Sequence, residues 1–115
     1  MEKHLKNYKI GGIKMNRQIK FVVNAIKWFD KVNGNTYHSV RITRCKDNKT
    51  IVGGFTYGYE DHYQQTAIET MIENKWIPSK YNKSNYYLYE RENKYPIHWN
   101  VSEGLKRDCI SNGVL

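Results

Sequence analysis

The 115 residues hold 19 Lys and Arg against 11 Asp and Glu, a formal charge of +8, with 39% hydrophobic and 14% aromatic residues, ten of the aromatics being tyrosine. That length fits one modest core and excludes two independent ones. No run approaches the roughly 18 apolar residues of a membrane-spanning helix, and no secretory pattern opens the chain, so the expectation is a cytoplasmic domain without a membrane partner.

Residues 1–14 are polar and aperiodic and end in Gly11-Gly12-Ile13-Lys14 before Met15. Tandem glycine codons there can encode a ribosome-binding sequence, which makes Met15 a candidate start and residues 1–14 either an upstream extension or a flexible arm, dispensable in both cases. The expected domain is 15–115.

From Ile19 the residues Phe21, Val23, Ala25 and Phe29 alternate, and Asn33-Gly34 then gives a strong hairpin signal. A two-residue turn there sets Phe29 opposite His38, Lys27 opposite Val40 and Ala25 opposite Ile42. A further turn at Asp47-Asn48 returns residues 49–57, with Phe55 opposite Val40 and Gly53 opposite Ile42, so that Ile51, Phe55 and Tyr57 join the core face. The other face then collects Trp28, Asp30, Tyr37, Ser39, Arg41, Thr43 and Thr56. Gly53-Gly54 lack the context of a phosphate loop and point to a bulge or close packing.

Asp61 with Gln64 reads as a capping box opening a helix over 62–76, carried by Tyr63, Ala67, Ile68, Met71 and Ile72. After a polar loop, Tyr86 to Glu90 and Ile97 to Val101 read as a hairpin around Arg91-Glu92-Asn93, with Pro96 marking an edge strand. Ser102 is expected to cap a short terminal helix bearing Leu105, Cys109 and Ile110. The expected class is α+β: an antiparallel three-stranded meander plus a later hairpin, one main helix on one face and a short C-terminal helix.

Nucleophile elbows, phosphate loops, His-Glu-x-x-His and paired cysteines are absent, and Cys45 and Cys109 stand far apart, so no cofactor, metal or disulfide is expected. His38 and His62 are the one candidate acid/base pair, for metal-free RNA cleavage; the alternative is a satisfied sheet histidine and a solvated first-turn residue. Trp28, Tyr37 and Arg41 share the outer face, where rings can stack on bases and arginine can pair with phosphate. The later hairpin or a second copy of the chain, in a homodimer, could instead cover that face. Tyr59 and His62 belong to a tyrosine-dense turn suited to either a protein or a nucleic-acid partner.

The block Trp28-Phe29-Asp30-Lys31-Val32-Asn33-Gly34-Asn35-Thr36-Tyr37-His38-Ser39-Val40-Arg41, joined to Tyr57-Gly58-Tyr59 and Tyr63-Gln64-Gln65-Thr66-Ala67, resembles a group of small uncharacterised bacteriophage and prophage proteins. The resemblance implies a phage origin, consistent with the AT-rich bias towards Lys, Asn, Ile and Tyr. The strand-strand-strand-helix order also resembles the second part of a double-stranded-RNA-binding domain. No helix precedes the first strand, however, and Glu60-Asp61 are acidic where that family presents lysines, so its contact residues are not carried over. The functional expectation is a non-catalytic phage accessory protein that binds nucleic acid or a nucleoprotein. Its rivals are a protein-binding inhibitor of a host or defence factor and a small metal-independent ribonuclease.

Overall fold

The computed structural model describes residues 5–10 and 13–115, with side chains from Gln18 onward. Strand β1 (Leu5–Ile10) pairs antiparallel with β2 (Ile13–Gln18) in a sheet of their own. Residues 1–4, 11 and 12 of the proposed extension lie outside the described residues.

The main sheet is built on β3 (Phe21–Asp30), β4 (Asn35–Arg44) and β5 (Lys49–Tyr57), an antiparallel meander within one residue or two of the expected bounds. The fourth strand, β6 (Ile97–Glu103), pairs with β3 in parallel, giving the order β5-β4-β3-β6 and a mixed sheet. Helix α1 (His62–Glu73) and helix α2 (Tyr86–Glu92) lie in the connection that carries the chain from one edge to the other. A parallel neighbour needs such a crossover, which a hairpin cannot supply.

The later hairpin is therefore corrected. Tyr86–Glu92 is helical, because a helical repeat turns Tyr89 into the core while Tyr87 and Arg91 share the outward side, with the Arg91 guanidinium 5.9 Å from the Tyr87 ring. The short terminal helix is α3 (Lys106–Asn112), but Ser102 lies inside β6 and does not cap it; the Asp108 carboxylate instead accepts the Leu105 backbone N–H at 3.1 Å. At α1, Asp61 occupies the cap position without a side-chain bond, so the expected capping box is not formed. The helix stops at Glu73 because Lys75 turns left-handed (φ 60°) and Trp76 N–H returns to the Met71 carbonyl at 2.8 Å.

Two registers differ from expectation for local reasons. Asp30 accepts the backbone N–H groups of Val32 and Asn33 and the Asn33 side-chain amide, while Gly34 N–H closes on the Asp30 carbonyl at 2.7 Å. The loop thus takes four residues and moves the pairing by two, to Ala25↔Val40 and Val23↔Ile42. A shift of two keeps every side chain on its expected face. In β5 the shift is odd: Val40 pairs Gly53 but His38 pairs Thr56, leaving Gly54 and Phe55 opposite Ser39 in a bulge. Beyond it Phe55 and Tyr57 move off the core face and Thr56 moves onto it.

The inner face packs Phe21, Val23, Ala25, Val40, Ile42 and Ile97 against Tyr63, Ala67, Ile68 and Met71 of α1, with Ile77, Tyr81 and Tyr89 closing the end. Gly53 permits the approach of α1, since a Cβ there would stand 2.8 Å from both Thr70 Oγ1 and Val40 Cγ2. No described helix is long and apolar enough to cross a membrane.

Candidate aromatic interface

The outer face is divided between a covered and an open half. Over β3, β4 and β5, α3 is fastened by polar contacts: Ser39 Oγ donates to the Cys109 carbonyl at 2.5 Å, and Asn112 Nδ2 donates to the Asn24 carbonyl at 3.0 Å and contacts Ser39. The Cys109 thiol is buried beneath the helix and donates to the Ile26 carbonyl at 3.2 Å; burial pushes its pKa up, away from the thiolate form. Gly113 fits directly over the bulge, because a Cβ there would meet Gly54 Cα at 2.9 Å.

The open half is aromatic. Tyr37 and Phe55 stack at 4.9 Å and 9°, and Trp28 lies 5.7 Å from Tyr37 and 6.2 Å from Phe55, so three neighbouring strands contribute one closed trio. The Lys106 ammonium sits 5.4 Å from the Trp28 ring. Tyr57 meets Tyr37 edge-on at 5.8 Å and Tyr59 continues the row 6.4 Å further on. Tyr57 and Tyr59 are 54% and 57% exposed, whereas Trp28, Tyr37 and Phe55 are half-buried. The trio turns its ring faces to one another and forms a base, while the two outer tyrosines face water.

Of the residues singled out in the sequence, Trp28, Tyr37 and Tyr59 therefore come together through Phe55 and Tyr57. Arg41 lies on the same face but under the C-terminal segment, donating from Nη2 to the Val114 carbonyl at 2.6 Å. His62 belongs to the opposite side, where its ring lies 5.3 Å from that of His38. His38 has no exposed surface: Nδ1 donates to the Gly58 carbonyl at 3.0 Å, which leaves Nε2 to accept the Thr66 hydroxyl at 2.6 Å. Burial lowers its pKa and keeps the ring neutral, and both nitrogens are occupied by structural partners. Phe55 and Lys106 were not foreseen as members of the cluster; the adjacent Gly53 and Gly54 were the available signal.

No family model, curated protein or solved structure matches the chain. Among the described residues no group of three or more His, Cys, Asp or Glu side chains could hold a metal ion.

Proposed function

We propose that this chain is a non-catalytic, phage-type accessory protein that binds single-stranded nucleic acid or a nucleoprotein along the Tyr57–Tyr59 rim of the aromatic cluster. The observation that carries this is the pair of exposed tyrosines, Tyr57 and Tyr59, backed by the rigid trio of Trp28, Tyr37 and Phe55, in a chain of net charge +8. Exposed rings provide sequence-tolerant stacking, and the cationic surface, with Lys106 at the Trp28 end, attracts the phosphate backbone.

The test is a fluorescence titration with a short single-stranded oligonucleotide at two salt concentrations. Tyr57→Ala and Tyr59→Ala should each weaken binding by about 1–3 kcal/mol with the melting temperature unchanged. Trp28→Ala should lower stability as well, since its ring supports two others. A wild-type protein that gives no titration at low salt overturns the proposal.

A second reading, an inhibitor that binds a host or defence protein, is favoured by one further feature: α3 and the Leu105 that precedes it border the strip, and Leu105 and Ile110 are 55% and 40% exposed. Aliphatic surface beside tyrosine suits a protein partner. A complex recovered unchanged after nuclease treatment would select it.

A further inference from the structure

On the other side of the sheet, α1, α2 and β6 meet around a cleft of about 190 Å³. Pockets for drug-sized ligands begin at roughly 300 Å³, so this one suits a single planar ring system. Its walls are aromatic: Tyr86 and Tyr87 from α2, Tyr95 from the following loop and Trp99 from β6, with Ile68 as the floor.

The Trp99 indole N–H donates to Glu90 Oε1 at 2.9 Å and Tyr63 abuts the ring edge-on at 5.8 Å, so the indole plane is set by the protein. The backbone that carries Tyr95 is strained. Lys94 and Tyr95 adopt consecutive left-handed conformations (φ 60° and 56°) immediately before Pro96, with Tyr95 N–H donating to the Glu90 carbonyl at 2.7 Å. Two adjacent non-glycine residues in that region cost free energy that surrounding structure must offset, and such strain concentrates at ligand clamps.

The polar groups at the cleft define the ligand. Gln64, from the first turn of α1, brings an amide whose Nε2 donates to the Tyr63 hydroxyl at 3.4 Å, and its oxygen and second N–H match the edge of a heterocycle. Arg91 stands at the wall with its guanidinium 5.9 Å from the Tyr87 ring. Glu90, the other charged residue of the cleft, has its carboxylate engaged by the Trp99 indole N–H, and the Arg91 guanidinium is the group that can meet a phosphate attached to the ring.

We propose that this cleft binds one nucleotide, its base against Trp99 and Tyr95, its edge at Gln64 and its phosphate at Arg91. The site is separate from the outer-face strip and does not depend on it. The ligand is a free nucleotide or one residue of a strand.

Calorimetric titration of the full chain with the nucleoside 5′-monophosphates, the matching nucleosides and inorganic phosphate tests it. Monophosphates should bind about tenfold more tightly than nucleosides, as expected of one charge-assisted contact, and phosphate alone should give no heat. Arg91→Ala should reduce monophosphate affinity to the nucleoside level and leave nucleoside binding unchanged. Tyr95→Ala, at a residue 52% exposed, should weaken both ligands about tenfold or more without unfolding the domain. An oligonucleotide whose affinity falls with Tyr95→Ala assigns the ligand to a strand; one indifferent to it assigns a free nucleotide. Tyr57→Ala should leave the monophosphate titration intact, which keeps failure here distinct from failure at the strip. Heat from phosphate alone, or equal binding by wild type and Tyr95→Ala, overturns the proposal.

Discussion

On its inner face the sheet meets α1 through Val23, Val40, Ile42, Ala67 and Met71, none of which retains any exposure, whereas on its outer face it meets α3 through Ser39, Asn112 and the Cys109 carbonyl and thiol. Apolar burial is non-directional and grows with area, so the inner contact is strong and insensitive to small rotations. Hydrogen bonds are directional but contribute only about 0.5–1.5 kcal/mol net apiece, so the outer contact sets orientation more than stability. The two faces divide the work: one keeps the domain folded, and the other places a short helix so that half the face stays open. On this view α3 opens before the inner contact does, in a local excursion below the global unfolding free energy.

The largest effect expected from testing this contrast is at Met71. Met71→Ala leaves a cavity in the inner contact and should cost about 2–5 kcal/mol in urea or thermal unfolding, with the whole domain melting as one unit. A loss below about 1 kcal/mol would mean the inner face is less tightly packed than its burial indicates.

Asn112→Ala should be milder, about 1 kcal/mol, since it removes a side-chain donor to the Asn24 carbonyl at a partly wet site. Its signature is local. Trypsin should cleave after Lys106 or Arg107 faster than in the wild type while the sheet keeps its hydrogen-exchange protection. Uniform loss of protection would show that α3 and the core open together.

The smallest effect is a dependence on pH carried by His38. Burial lowers its pKa in the folded state, helped by the neighbouring His62 and Lys27, while the Gly58 bond opposes the shift. The unfolded chain takes up a proton near the ordinary value of 6.5 and the folded chain does not, so stability is fully present above that value and declines as the pH falls below it. Thermal melts at about pH 8 and about pH 5 should show the decline, and His38→Gln should reduce the slope. An unchanged slope would place the acid sensitivity elsewhere.

The inner face was largely legible in the sequence and the outer one was not. Period-two alternation from Phe21 to Ala25 and helical spacing from Tyr63 to Met71 reflect burial, which leaves a mark on residue type at every turn or pleat. The four-residue loop escaped because Asp30, outside the Asn33-Gly34 pair, does the capping, and the error, being even, left every face intact. The bulge escaped in its consequence: Gly53-Gly54 suggested it, but one inserted residue carries Phe55 and Tyr57 across the sheet, and so the trio that organises the candidate interface went unseen. The segment Tyr86–Glu90 reads as strand because tyrosine favours extended structure, and the helix that forms there, Tyr86–Glu92, has no side-chain cap to announce it. The role of Arg41 depends on a carbonyl at Val114, 73 positions away, which no local pattern records.

The parallel pairing of β6 with β3 also orders the assembly of the domain in time. Each pair in that ladder joins residues 76 positions apart, such as Asn24 and Asn100. The hairpin of β3 and β4 closes early, yet the second edge of β3 has no partner until the residues between Arg44 and Ile97 have been synthesised. At about 5–20 residues per second this leaves an apolar strand edge uncovered on the ribosome for some seconds, a template on which two nascent copies can join before either is complete.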